Sequence, residues 1–197
     1  MSAQFFGNNR SMENSPKQNF DQKTLLDNLK SRILTARQRC EQKDDGGDII
    51  PKDLVVVCFG TPLISGDAFA PLVADTLREE CNFPCFVYGT TDRSVNGKNM
   101  DKWLDFILTV HKGCMILAID ASLGDKVGSL LIRDDGVCPA AIKGRKKRIG
   151  DVGLLGIVAK NNDDPMLNLM GVNFEFVQNM ALDAAKVIAG AMSFAAS

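Results

Sequence analysis

The sequence predicts an α/β protein, a three-layer α/β/α sandwich built on a mixed, mostly parallel sheet. Two observations carry this prediction. Apolar runs rich in β-branched residues, without alternation, stand at residues 54–59, 114–119 and 152–158; strands buried on both faces of a sheet read this way. Between and after them, apolar residues recur at helical spacing, so strands alternate with helices along the chain.

The order of elements starts with residues 1–20, rich in Asn, Ser and Gln, which read as a mobile tail. Residues 21–53 form an N-terminal helix and a linker. Leu25, Leu26, Leu29, Ile33, Leu34 and Ala36 recur at three and four, with Asp21 or Thr24 as the cap, and Asp44-Asp45-Gly46-Gly47-Asp48 follows. Residues 54–197 are expected to form a single α/β domain. It opens with the strand at 54–59, a break at Gly60 and Pro62, and a helix with Asp67 in the N-cap place. A short strand at 83–88, a helix at 100–110 and a strand at 114–119 ending on Asp120 come next. Residues 127–133 and 137–142 read as a hairpin about Asp134-Asp135-Gly136. The strand at 152–158 and a helix over 173–192 close the chain, the latter striped by Phe176, Val177, Met180, Ala184, Val187 and Ile188.

Composition removes several functional classes. A net charge of -1 gives no global attraction to nucleic acid or anionic membranes. No apolar run has the ~20 residues of a membrane span, and no basic region precedes an apolar core near residue 1, so a cytoplasmic location is expected. The six cysteines lie mostly in apolar runs without a CxxC pair and read as core hydrophobes. One histidine, His111, excludes a histidine-rich metal centre. It falls at a helix C-terminus, where partial positive charge suits the dipole, and this disfavours the common hydrolase triads.

Two carboxylates are the best candidates for chemistry. Asp67 follows the first strand and Asp120 terminates the third, so both belong on the carboxyl edge of the sheet, where open α/β sheets place their active groups. Two carboxylates brought close cannot both ionise cheaply; one retains its proton, and the pair can act as general acid and base on water. Taken singly, Asp67 also reads as a helix cap and Asp120 as a loop hydrogen-bond acceptor. The glycines at 60 and 66 give GxxxxxG, neither GxGxxG nor the P-loop pattern, and Asp67 stands where a P-loop has lysine. A carboxylate there repels phosphate, which weakens the nucleotide reading. The basic run Lys143, Arg145, Lys146, Lys147, Arg148 lacks interleaved aromatics, so it reads as a solvated loop or as a docking loop for an acidic polypeptide.

Four ordered motifs carry a family resemblance: residues 55–61 with Ser65-Gly66-Asp67-Ala68 and Pro71-Leu72-Val73; Tyr88-Gly89-Thr90 with Val95 and Lys98-Asn99; Ala118-Ile119-Asp120-Ala121 with Leu123-Gly124; and Gly150-Asp151 with Gly156-Ile157-Val158. Over residues 54–190 the chain resembles the YyaC-type sporulation proteins, a family linked to spore proteases. That family is similar to the spore germination protease and, in architecture, to the hydrogenase-maturation proteases, with a phosphorylase/hydrolase-like fold.

The resemblance implies an aspartic-type endopeptidase of the forespore or spore core that acts on a protein or peptide substrate such as a small spore protein. Asp67 and Asp120 would be catalytic, and Gly66, Tyr88, Thr90, Lys98, Asn99 and Asp151 would support them or the substrate. No cofactor, metal, nucleic acid or membrane is implied, and self-association stays open. At the place of the maturation proteases' metal-ligating aspartate this chain has Tyr88-Gly89-Thr90. It also lacks the Asp-Arg pair that the sporulation family carries two residues after its first glycine. The alternative is a non-catalytic sporulation factor that keeps the fold and binds a partner through its first helix or basic loop.

Overall fold

A computed structural model describes residues 21–41, 53–81, 83–139, 144, 146–161 and 163–193. In chain order the elements are α1 (Gln22–Glu41), β1 (Leu54–Cys58), a 3₁₀ turn (Gly66–Ala68), α2 (Phe69–Glu79), β2 (Phe86–Tyr88) and α3 (Met100–Val110). β3 (Met115–Leu123), β4 (Leu130–Arg133), β5 (Val152–Ala159), α4 (Pro165–Met170) and α5 (Phe174–Ser193) complete the fold. The strands make one sheet in the order β2-β1-β3-β5-β4. All neighbours are parallel except β4, which runs antiparallel to β5 at the edge.

The three central strands are apolar where they run between the layers because each is covered twice there. On one face Val56, Cys58, Leu117, Ile119, Leu154 and Val158 meet α1, α2 and α5. On the other, Val55, Val57, Phe59, Ile116 and Ala118 pack with Met100 and Ile107 of α3 and with Val137 and Ile149. Gly156 lets α2 approach: a Cβ there would lie 2.5 Å from the Phe69 ring.

α1 is capped by Asp21, whose carboxylate accepts the Thr24 N–H at 3.2 Å and the Lys23 N–H at 3.3 Å. Its apolar face lies against α5, with Leu25, Leu29, Ile33 and Ala36 buried and Leu26 seated at Gly190. The first helix is therefore a structural layer, and its apolar face is not available to a partner. The α5 stripe is wholly buried, and Asn173 caps that helix by accepting the Phe176 N–H at 3.0 Å.

Several boundaries differ from expectation. The hairpin about Asp134-Asp135-Gly136 does not form. β4 pairs with β5, and Val137 exchanges both backbone hydrogen bonds with Ile149, at 2.9 and 2.8 Å. Pro139 lacks the N–H that a strand at 137–142 would need, and Gly136, at φ +71°, turns the chain against Ile149. Residues 140–142 lie outside the described residues, as do the tail, the linker, Lys143 and Arg145.

The second strand is shorter than expected, and β3 runs three residues beyond Asp120 because β5 continues beside it. Asp67 is not the α2 cap. It lies inside the 3₁₀ turn, and the α2 N-cap is Ala68. α4 was not expected. Among the described residues no helix is long and apolar enough to cross a membrane.

The buried seam between α1 and α5 gives a direct test of the first layer. Leu29→Ala is expected to destabilise the chain by about 2–5 kcal/mol, measured by urea unfolding. An appended helix with no share in the core would leave the midpoint unmoved.

Candidate functional site

β1 and β3 run parallel in register, with Cys58 beside Ile119, so the segments that leave their carboxyl ends share one edge. After β1 the chain bends back: Gly60, at φ +147°, donates its N–H to the Val95 carbonyl at 2.9 Å, and a Cβ there would strike the Asp67 carbonyl oxygen. Only glycine allows that approach, and it brings the turn carrying Asp67 over the end of the sheet. Asp120 projects from β3 into the same space. Both carboxylates line a cavity of about 690 Å³.

Asp120 is 8% exposed, on a strand whose preceding residues are apolar and buried. Burial pushes its carboxyl well above the usual carboxylate range, and the negative charge of Asp67 raises it further. The backbone N–H of Ala121 acts in the opposite direction, more weakly. Asp120 is therefore the member of the pair that tends to hold a proton, within electrostatic reach of a second carboxyl.

The remaining wall comes from five places. The loop after β1 gives Leu63 and Ile64, the strands give Ala121, Ser122, Leu123 and Leu155, and α4 gives Pro165, Met166 and Leu169. Lys98 and Asn96 enter from the loop before α3. That loop is shaped by Asn99, whose Oδ1 accepts the Asn96 N–H at 2.8 Å and whose Nδ2 donates to the Ser94 carbonyl at 2.9 Å. Arg133, Cys138, Pro139 and Arg148 stand along the wall beyond β4.

The residues expected at the site thus divide. Asp67, Asp120 and Lys98 line the cavity, and Asn99 builds the loop that presents Lys98. Gly66 acts through close packing: a Cβ there would lie 2.9 Å from Leu169 Cδ2, so it seats α4 on the turn. Thr90 is buried and accepts the Arg93 N–H at 3.2 Å, a turn contact.

Tyr88 is not among the lining residues. Its hydroxyl meets His111 Nε2 at 2.8 Å in an aromatic group with Trp103 and Phe106 on the α3 face. Asp151 also falls elsewhere. Its carboxylate accepts the Ile116 N–H at 2.8 Å at the opposite end of β3, four residues before Asp120. At about 3.3 Å per residue that is some 13 Å away, because a residue ahead of a parallel strand lies at the amino edge.

Reading the sequence missed α4 and Arg133. α4 had a signal, Asp164 before Pro165: the carboxylate accepts the Met166 and Leu167 N–H groups at 3.1 Å, and proline occupies the first turn. Arg133 had none, since it reaches the cavity only once β4 lies beside β5; Arg148 stood in the basic run, and its place in the cavity follows from the Val137–Ile149 pairing. Among the described residues no group of three or more His, Cys, Asp or Glu side chains is placed to hold a metal ion.

Comparison with known proteins agrees with the motifs. A family model described as "Protein of unknown function (DUF1256)" matches residues 23–189. "Uncharacterized protein YyaC" of Bacillus subtilis (strain 168) is 34% identical over 133 residues, 66% of this chain and 65% of that protein. The chain thus spans just under two thirds of that relative's length. The crystal structure of a [NiFe] hydrogenase maturation protease, HycI from Thermococcus kodakarensis KOD1, aligns with a TM-score of 0.48 and 19% identity. The alignment covers 72% of this chain and 93% of that one, a likeness too loose to bear on function.

A carboxyl raised above its unfolded value binds its proton more tightly in the folded chain. Titrating Asp120 therefore lowers stability as pH rises from about 3.9, the unfolded value, through the higher folded one. Asp120→Asn, which cannot ionise, is expected to be more stable than the parent by about 1 kcal/mol near neutral pH. The gap should close as pH falls toward about 4. Thermal unfolding across pH measures it, and a gap independent of pH would contradict the assignment.

Proposed function

The chain belongs to the DUF1256 family, and from the acid pair lining its cavity we propose that it is a peptidase in which Asp67 and Asp120 share a proton and activate water. The observation that carries this reading is Asp120 itself, a carboxyl that burial and the charge of Asp67 push well above the usual carboxylate range, lining a cavity of about 690 Å³. Asp67 takes a proton from a water between the two groups, and the water oxygen attacks the scissile carbonyl carbon. Asp120 gives its proton to the carbonyl oxygen, leaving a neutral tetrahedral adduct. The C–N bond then breaks, the leaving nitrogen receives the proton first removed from water, and Asp120 regains its own from the adduct hydroxyl. Water is the only reagent consumed.

The rest of the site supports these steps. Gly60 fixes the turn that carries Asp67, and the β3–β5 pairing fixes Asp120, so neither carboxyl depends on a long free loop. Ile64, Leu123 and Leu169 give the cavity apolar surface beside the pair. The likeness to the YyaC-type sporulation proteins motivates the rest of the proposal, in which the substrate is a small spore protein and the compartment is the forespore or spore core.

Asp67→Asn and Asp120→Asn are each expected to lower kcat/KM on an unfolded spore-protein substrate by at least about 100-fold, with circular dichroism unchanged. The parent should show a bell-shaped pH profile whose limbs belong to the pair as a unit. Peptide bound by the parent without turnover at any pH would instead mark a binding protein on this scaffold.

A further inference from the structure

The two arginines beyond β4 form a unit that the acid–base chemistry does not use. Arg133 ends β4, and Arg148 immediately precedes Ile149, the partner of Val137. Asp135 lies between them: Arg133 Nε is 3.2 Å from Oδ1, and Arg148 Nε is 3.0 Å from Oδ2. Arg148 Nη1 also donates to Asp135 Oδ1 at 3.2 Å and to the Gly136 carbonyl at 3.4 Å. Two cations share one anion, so the cluster keeps a net positive charge. The neighbouring carboxylate, Asp134, is paired with Arg32 of α1.

Both arginines line the cavity that holds Asp67 and Asp120. Their side chains are 35% and 40% exposed, which leaves each open to a ligand. The shared pairing with Asp135 gives the guanidiniums a fixed spacing rather than two independent swinging arms, and a guanidinium fork matches a carboxylate. The exposed Lys146 and Lys147 precede Arg148 and add to the local field. The acid pair, by contrast, repels an anion placed beside it. The apolar surface of Ile64, Leu123, Leu155, Met166 and Leu169 completes the cavity.

We propose that Arg133 and Arg148 form an anion subsite of this cavity. It would recognise a peptide by a carboxylate set apart from the bond at Asp67 and Asp120, while apolar residues of the same peptide fill the wall. The proposal rests on the cavity's being a peptide site, and binding tests it separately from cleavage.

The probes are fluorescent peptides with a central pair of leucines: one with two glutamates and an amidated C-terminus, its glutamine counterpart, and the glutamine peptide with a free C-terminal carboxylate. The protein is the full chain carrying Asp120→Asn, so that turnover is slow on the timescale of binding. At low salt the carboxylate-bearing peptides are expected to bind about five-fold more tightly than the neutral amide. That advantage should shrink between about 0.05 M and 0.5 M salt. Whether the glutamate peptide or the free-terminus peptide gains more identifies the source of the carboxylate.

Arg133→Gln with Arg148→Gln should remove the preference. Asp135→Asn, which frees both guanidiniums from their shared carboxylate, should enlarge it; this second variant serves if the arginine pair proves necessary for folding. Equal affinities for all three peptides, no binding of any of them, or a preference unchanged in both variants would overturn the subsite. Cleavage by the parent without such a preference leaves the peptidase reading standing and removes the subsite. A preference without cleavage does the reverse.

Discussion

Everything in this molecule depends on burying three parallel strands on both faces at once. β1, β3 and β5 have no wet side, so their side chains must be apolar on every position that meets a helix layer. That requirement brings α1 into the fold, where it packs beside α5 and against β3, β4 and β5. It also decides where polar chemistry can stand. Within the sandwich a charge costs several kcal/mol, so polar groups gather where the strands leave the layers. Asp120 stands at that boundary, still paired as a strand residue but already facing the cavity.

The cost of placing it there is spread over the surrounding packing. Gly60 gives up a side chain so that the Asp67 turn can fold back, Gly66 does so for α4, and Gly156 does so for α2. At these positions an added methyl would meet a carbonyl oxygen, a leucine or an aromatic ring. Close contacts between elements therefore hold the acid pair in place, and the pH dependence of Asp120 registers how well those contacts exclude water.

Much of this was legible in the residues because the signals were local. Unalternating apolar runs mark β1, β3 and β5, and helical periodicity marks α1, α3 and α5 within a residue or so. Asp67 and Asp120 could be placed on one sheet edge because parallel strands share a direction. What was not legible depended on pairing. β4 looks like half of a hairpin, and only the free edge of β5 tells it otherwise; Pro139 was the single local warning. Asp151 resembles a site residue by its glycine neighbour, yet the strand direction puts it at the far end. Arg133 and Arg148 join the cavity through contacts distant in sequence, which no periodicity records.

β3 does not stop at Asp120. Ala121, Ser122 and Leu123 continue the strand for about 10 Å at ordinary strand rise and form part of the cavity wall. On the proposed peptidase reading, a wall of that length would favour an extended segment of polypeptide over the surface of a folded globule.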